Sequence, residues 1–233
     1  MDYSIILLVY NEEKSIENDI INISKIINDI NNTEKKIELV VVLDRSIDNT
    51  YQIIDELKKK FKFTFVFNPK RIGYRKSILK GLEKANGKNI VLCETGQKYN
   101  FNEIKKIILL HEDNLVFSGH RINRKDGFDR QILTYGLNLY TRFIFNHPYR
   151  DLDSGFKIIP KNIFTNYFKY KCHFENFCST ELMLKLYLDK YIISEKTVSY
   201  FQRPDKSKQF SFFKIVFKSF KVFLDLLKLK FTQ

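Results

Sequence analysis

Carboxylate and amide side chains follow apolar runs at several places in the first half of the chain. Glu94 follows the apolar run 90–93, Asp44 follows the run 39–43, and Asn11 lies just after the first run of the chain. A continuous apolar run is typical of a strand buried on both faces of a parallel sheet. Ligands of open α/β sheets bind outside the carboxyl ends of such strands. These residues therefore predict a polar ligand site at one sheet edge, although loops are polar in any case.

The elements that must position these side chains alternate along the first 110 residues. Apolar runs predict buried strands, and spacings of three and four predict helices. The predicted strands cover 4–9, 39–43, 63–67 and 90–93. The predicted helices run from 16 to 30, onward from about 48, from 73 to 85 with Gly87 as the C-cap, and from 101 to 111. This alternation predicts an α/β fold with a doubly wound, mostly parallel sheet and right-handed crossovers.

The second half is less regular. It contains a predicted strand at 115–119, an aromatic-rich helix at 131–145, a helix at 180–188 and one or two strands within 191–200. A turn at 150–156 contains two carboxylates, Asp151 and Asp153. No domain boundary is evident before Arg203. We therefore predict one domain over residues 1–208 and a separate C-terminal helix over residues 209–233.

The C-terminal segment combines apolar and basic residues at helical spacing. Its apolar positions recur at steps of three and four, and they are Phe210, Phe213, Phe217, Phe220, Leu224, Leu227 and Phe231. Lysines occupy another face, and the segment from Arg203 onward has eight basic and two acidic residues. This pattern is typical of an amphipathic helix that lies in a membrane surface. The alternative is a helix packed on the domain with its lysines outward.

Charge and cysteine content narrow the classes of function. The formal net charge of +13 suggests acidic partners such as anionic lipid or phosphorylated ligands, or it reflects codon bias. A nucleic-acid partner is not expected, because only charge supports one. Three cysteines without metal-like spacing predict buried, reduced thiols. No run is long enough to span a membrane, and no signal peptide precedes the first strand. We expect a cytoplasmic protein, peripheral on the cytosolic face of a membrane.

Six short motifs, in order from residue 4 to about 208, resemble one known family. They are Val9–Glu13 for "VYNEE", Leu43–Thr50 for "DDGSTDGT", Gly73 to Gly81 for a glycine-containing loop, 85–88 for "AxGd", Asp151–Phe156 for "DxxSGF", and Glu181 followed by Arg203. This pattern is similar to that of the family 2 inverting glycosyltransferases of the GT-A fold. The "SGF" and basic elements resemble the dolichyl-phosphate mannosyltransferase-like branch.

The resemblance implies roles for particular residues. Glu94 would stand at the first position of the DxD motif, where it would bind a metal ion and act in catalysis. Asp151 and Glu181 would be catalytic residues on the acceptor side. Asp44 would accept a hydrogen bond from the nucleotide base. The remaining residues implied to bind the nucleotide or a phosphate are Tyr10, Asn11, Glu13, Lys76, Arg121, Arg203, Lys206 and Lys208.

Two departures from the family pattern leave open whether the site binds a divalent metal ion. Gly96 replaces the second carboxylate of DxD, and Leu43 replaces the first aspartate of "DDGS". Mg²⁺ is usually held by one or two carboxylates together with substrate phosphates and water. Glu94 alone would therefore hold Mg²⁺ or Mn²⁺ with weaker affinity. Alternatively, arginine and lysine side chains would neutralise the leaving diphosphate, or activity would be lost.

The expected reaction is transfer of a hexose, with inversion, from a GDP- or UDP-sugar to polyprenyl or dolichyl phosphate at a membrane surface. A phosphate acceptor is already ionised near neutral pH, so it needs cations more than a strong base. A hydroxyl acceptor needs a general base within hydrogen-bond reach. Two alternatives remain: transfer to a glycan or protein hydroxyl, and a catalytically impaired homologue that binds a sugar nucleotide.

Overall fold

The computed structural model describes residues 1–124, 128–172, 174, 178–201 and 224–231. The strands of this part are β1 Tyr3–Val9, β2 Ile37–Asp44, β3 Thr64–Asn68, β4 Asn89–Glu94, β5 Val116–Ile122, β6 Lys157–Pro160 and β7 Ile193–Ser199. The helices are α1 Ile16–Asn31, α2 Thr50–Lys60, α3 Tyr74–Lys84, α4 Phe101–Leu110, α5 Phe128–Phe145, α6 Lys161–Asn166, the π-helical turn Tyr167–Lys171, α7 Cys178–Leu188 and α8 at 224–231.

The strands form one sheet in the order β3-β2-β1-β4-β6-β5-β7. Strand β1 pairs in parallel with β2 and β4, β2 pairs in parallel with β3, and β5 pairs in parallel with β7. Only β6 among the described strands is antiparallel, and it pairs with both β4 and β5. The prediction of a mostly parallel α/β sheet is confirmed. Strand β6 was not predicted, because it has four residues and begins with Lys157.

The register of the sheet brings the predicted strand ends to one edge. Leu8 pairs with Glu94, and Val9 pairs with Leu43, the residue before Asp44. Central strands β1, β2 and β4 are almost wholly buried because helices cover both faces. The predicted apolar face of α1 is buried at Ile16, Ile20, Ile23, Ile27 and Ile30. Asp44 and Glu94 therefore end the two strands that flank β1, and Asn11 lies just after the end of β1.

The predicted role of Gly87 as a helix C-cap was wrong. Helix α3 ends at Lys84, and Ala85 already has extended backbone angles. Gly87 instead lies against β1, where an added Cβ would stand 2.4 Å from the backbone nitrogen of Ser4. The glycine is therefore needed for close backbone approach.

Two elements of the second half differ in extent from the prediction. Helix α5 begins three residues earlier than predicted, and the region 191–200 holds one described strand, β7.

Helix α8 packs on the domain through one side. Leu226 and Leu229 are buried, and the ammonium of Lys230 lies 5.8 Å from the ring centre of Phe145 in α5. Leu224 and Phe231, two positions of the predicted apolar stripe, are 45% and 84% exposed. Other stripe positions (Phe210, Phe213, Phe217 and Phe220) and the predicted boundary at 208 lie outside the described residues. None of the described helices is both long enough and apolar enough to span a membrane.

Candidate active site

Glu94 lies at the carboxyl edge of the sheet and forms an ion pair with Lys98. Its Oε2 is 2.7 Å from Lys98 Nζ, and the side chains are 25% and 13% exposed. The turn 150–156 packs directly on Glu94, since a Cβ added at Gly155 would come within 2.3 Å of Glu94 Cδ. The two sequence motifs that contain Glu94 and Gly155 are thus in contact.

A buried carboxylate, Asp19 of α1, supports the loop after β4. It accepts hydrogen bonds from the backbone amides of Gly96 at 2.7 Å and Gln97 at 3.1 Å. Burial raises the pKa of Asp19 to about 6, although these two amides act in the opposite direction. Asp19 was not among the predicted site residues. The available signal was a single acidic residue beside Ile20 on an otherwise apolar helix face.

Asn11 and Glu13 connect the loops that follow β1 and β2. The side-chain oxygen of Asn11 accepts from the backbone amide of Ile47 at 2.9 Å, and the backbone amide of Asn11 donates to Ser46 Oγ at 2.8 Å. Glu13 Oε2 accepts from the amide of Asn49 at 3.1 Å. These contacts bring both predicted nucleotide-site residues to the expected edge and order its loops.

Tyr10 and Asp44 line the same edge. The guanidinium of Arg71 lies over the ring of Tyr10 at 4.3 Å from its centre. The two oxygens of Asp44 accept from the amides of Ile72 at 2.8 Å and Gly73 at 2.9 Å, just before α3. Asp44 therefore holds this loop, and its contact with a nucleotide base remains a prediction. Lys76, in the first turn of α3, is exposed.

Tyr74 begins α3 on the side of Glu94. Desolvation, followed by the negative charge of Glu94, raises the pKa of the Tyr74 hydroxyl well above its ordinary value. Tyr74 was not among the predicted site residues, since a tyrosine at a helix start is not a distinctive signal.

The turn 150–156 contributes to a buried cluster of charges. Arg121 binds Asp151 through Nε at 2.7 Å and Nη2 at 2.9 Å, and its Nη2 is 3.9 Å from Asp153. Lys157, wholly buried, donates to the carbonyl oxygen of Ser154. Arg121 and Asp151 are thus brought together as predicted site residues. Lys157 was missed, although a charged residue directly after Phe156 in an apolar strand was a usable signal.

Burial and opposite charges shift the pKa values in this cluster. Burial alone would raise the pKa of Asp151, but the hydrogen bonds and charge of Arg121 lower it below its usual value. Burial raises the pKa of Asp153, and Arg121 only partly opposes this. Burial lowers the pKa of Lys157 to about 8 in spite of the nearby aspartates. Asp151 is consequently held as an anion and is a weak base.

Glu181 is buried on α7 and makes contacts inside the protein. Its Oε2 accepts from the amide of Phe174 at 2.7 Å, and its Oε1 is 2.9 Å from Lys185 Nζ. The adjacent Thr180 reaches the site, because its hydroxyl donates to Asp153 Oδ1 at 3.2 Å. The acceptor-side role of Glu181 stays a prediction. Arg203, Lys206 and Lys208 lie outside the described residues.

A pocket of about 410 Å³ lies next to the Arg121–Asp151 pair. Basic residues line it, together with apolar and polar residues of α5. The basic residues are His120, Arg121, Arg124 and Arg150, and the α5 residues are Gln131, Ile132, Thr134, Tyr135 and Asn138. Such a lining suits an anionic group attached to an apolar body.

The predicted metal position at this edge has one carboxylate, Glu94, because Gly96 replaces the second. No group of three His, Cys, Asp or Glu residues suited to hold a metal ion occurs within the described part of the chain. Glu94 is ion-paired with Lys98, and Gly96 offers no ligand side chain. The single-carboxylate metal site and the alternative in which basic side chains face the diphosphate both stay predictions. The cysteines Cys93, Cys172 and Cys178 are free and buried, as predicted.

The sheet topology and the polar site at its carboxyl edge define a glycosyltransferase of the GT-A class. The sequence model of Glycosyl transferase family 2 matches residues 4–169, and the chain belongs to this family. The chain is therefore a family 2-like glycosyltransferase.

Two protein sequences are informative relatives. An uncharacterised protein from Methanocaldococcus jannaschii is 31% identical over 172 residues, which cover 66% of this chain and 69% of that protein. A dolichyl-phosphate beta-glucosyltransferase from Trichomonas vaginalis is 24% identical over 177 residues, covering 70% of this chain and 54% of the relative. The chain thus matches only about half the length of the second relative.

Solved structures support the fold. Glucosyl-3-phosphoglycerate synthase from Mycobacterium tuberculosis, in complex with Mn²⁺, UDP and phosphoglyceric acid, superposes with a TM-score of 0.71 at 14% identity. The match covers 98% of this chain and 78% of that one. The same enzyme with Mn²⁺ and UDP-glucose gives a TM-score of 0.70. Similarity at this level of identity establishes the GT-A fold alone.

Proposed function

We propose that the protein transfers a hexose from a nucleoside-diphosphate sugar to polyprenyl phosphate at a membrane surface, with inversion at the anomeric carbon. The donor class is supported by the UDP and UDP-glucose in the similar structures. The acceptor class is supported by the name of the Trichomonas vaginalis relative. These two arguments rest on other proteins. In this chain, the acceptor class is supported by a structural observation.

That observation is an exposed apolar stripe on α5 that leads into the basic pocket. Four large apolar side chains recur on one face of the helix and are more than half exposed. They are Ile132 (53%), Tyr135 (65%), Leu139 (51%) and Phe143 (85%). Ile132 and Tyr135 also line the pocket that contains Arg124 and Arg150. Exposed apolar patches of this kind mark membrane or protein contacts.

The stripe and the pocket together match a lipid phosphate. An isoprenoid chain would lie along the stripe while its phosphate met Arg124 and Arg150 in the pocket. The phosphate is ionised near neutral pH and attacks without a strong base. This agrees with the contacts of Asp151 and Glu181, which are held by Arg121 and Lys185.

A hydroxyl acceptor is the second candidate, supported by Asp153. This carboxylate is partly exposed, and burial raises its pKa. A raised pKa brings a carboxylate closer to that of an effective general base. The hydrogen bond from Thr180 would orient Asp153 for this role.

The two candidates differ in their products. The test is a screen of UDP- and GDP-hexoses with polyprenyl phosphate, phosphoglycerate and oligosaccharide acceptors, with and without Mn²⁺. We expect a product from polyprenyl phosphate that mild acid hydrolyses, because glycosyl phosphates are acid-labile.

Variants of the pocket test the same proposal. The double variant Arg124→Ala with Arg150→Ala should raise the acceptor KM, whereas Lys80→Ala, at an exposed position of α3, should not. Transfer only to oligosaccharide, in an acid-stable product, would contradict the proposal.

A further inference from the structure

The three carboxylates around the turn 150–156, namely Glu94, Asp151 and Asp153, each have a cation close to them. Lys98 is 2.7 Å from Glu94, and Arg121 is 2.7 Å from Asp151 and 3.9 Å from Asp153. Lys157 is buried beside the same turn. The described cluster therefore contains three carboxylates and three cationic side chains. When all six side chains are ionised, their charges balance before a nucleotide or a metal ion binds.

The loop after β4 offers no second carboxylate to the edge of the sheet. Gly96 stands where that carboxylate would be, with φ of 94°, and its amide is bound to Asp19. Asp19 is only 1% exposed and supports the loop from within the protein. The loop consequently presents one carboxylate, Glu94, and one ammonium, Lys98, both partly exposed.

We infer that Lys98, held in position by Glu94, supplies the positive charge at the leaving diphosphate in place of a divalent metal ion. This inference rests on the proposed function. An acceptor oxygen forms the new bond to the anomeric carbon while the bond from that carbon to the β-phosphate oxygen breaks. The electron pair of the broken bond goes to the phosphate oxygen. The Lys98 ammonium donates hydrogen bonds to the phosphate and keeps its protons. Preorganised donors aimed at developing negative charge stabilise such a transition state.

Glu94 changes its role under this inference. It becomes a positioning residue that orients the ammonium of Lys98 at 2.7 Å, and it is not itself a ligand of the diphosphate or of a metal. A glutamine at position 94 would keep an oxygen that accepts from Lys98. Glu94→Gln is therefore expected to be mild, whereas loss of the ammonium is expected to be severe.

The test is calorimetric titration of UDP and of GDP into the full chain, once in EDTA and once in Mn²⁺. For the wild type we expect dissociation constants that agree within about threefold between the two conditions. In EDTA, Lys98→Met should weaken binding by about tenfold or more, since it removes a charge-assisted hydrogen bond. Lys98→Arg and Glu94→Gln should stay within about fivefold of the wild type.

Lys105→Met is the matched control, because Lys105 forms an ion pair of the same 2.7 Å length with Asp29, outside the site. Its nucleotide binding should equal that of the wild type. If EDTA abolishes nucleotide binding by the wild type and Mn²⁺ restores it, the inference is wrong and the proposed function still stands. This outcome does not depend on whether the Lys98→Met variant folds. A wild-type chain that binds neither nucleotide in either condition would overturn the proposed function and the inference with it.

Discussion

The guanidinium of Arg121 makes two parallel hydrogen bonds to the carboxylate of Asp151, and both side chains are buried. The backbone amide of Arg121 donates to the same carboxylate at 3.2 Å. The pair joins the end of β5 to the turn 150–156, whose Gly155 touches Glu94. Paired fork geometry of this kind fixes orientation as well as charge. The pocket lined by Arg124 and Arg150 and the sheet edge at Glu94 are thus connected through one ion pair.

Asp151→Asn should destabilise the protein by about 3 kcal/mol, because it leaves the buried guanidinium of Arg121 without its counter-charge. Urea unfolding followed by circular dichroism measures this loss. The double variant with Arg121→Met should recover part of the stability, since the unpaired charge is then absent. A loss of under about 1 kcal/mol in the single variant would contradict the structural role of the pair.

Asp19 should make stability fall as the pH rises through the acidic range. Its pKa in the folded protein is about 6, above the ordinary 3.8, so the folded state binds the proton more tightly than the unfolded state. The wild type should therefore lose up to about 3 kcal/mol relative to Asp19→Asn between about pH 4 and pH 6, with no further change above. Urea unfolding of both proteins across this range measures the difference. Parallel pH profiles would show that Asp19 keeps its ordinary pKa.

Gly155→Ala should lower the transfer rate by displacing Glu94. The added methyl group would stand 2.3 Å from two carbons of Glu94, which separates that carboxylate from Lys98. We expect a loss of about tenfold in kcat/KM, equivalent to about 1.4 kcal/mol of transition-state stabilisation. Steady-state kinetics measure it. Unchanged kinetics in a folded variant would mean that the position of Glu94 is not critical.

Gly87→Ala should destabilise the fold by about 2 kcal/mol, because its methyl group would meet the backbone of Tyr3 and Ser4 at 2.4 Å. Gly136→Ala is the control for the same substitution in open space. An added Cβ there has no neighbour within 4 Å, and position 136 is inside α5. Thermal unfolding should show a lower midpoint for the first variant and an equal or higher one for the second. Equal midpoints for both would contradict the close approach.

Leu139→Ser together with Phe143→Ser should weaken membrane binding. These substitutions remove the outer half of the exposed apolar stripe on α5 without touching the basic pocket. Flotation with vesicles of phosphatidylcholine and phosphatidylglycerol measures the bound fraction, which we expect to fall several-fold. Ile192→Ser is the control, because Ile192 is 75% exposed and is not part of α5.

The predicted amphipathic segment needs its own variant. Flotation of the chain with and without residues 209–233 tests whether that segment adds to binding. Equal flotation of these two proteins would remove the proposed role of the C-terminal helix. Equal flotation of the wild type and the α5 double variant would remove that of the stripe.

The sequence by itself predicted the parallel strands β1 to β4 and the polar residues at their carboxyl ends. Continuous apolar runs identified β1, β2 and β4, since a strand covered on both faces needs no polar residue. The residues that end these strands, including Asp44 and Glu94, were therefore placed correctly at one edge. Isoleucines at helical spacing likewise identified the buried face of α1.

Only the tertiary structure decided which charges meet. Asp19 and Gly96 are 77 positions apart, and Arg121 and Asp151 are 30 apart, so no local pattern links them. Lys98 is four positions from Glu94, a spacing that predicts contact only within a helix. Here the Lys98–Glu94 ion pair forms across a loop. Such pairs depend on strand register and on how loops pack over the sheet edge. Apolar periodicity determines burial along each element, whereas the partners of a charged side chain are determined by contacts between elements.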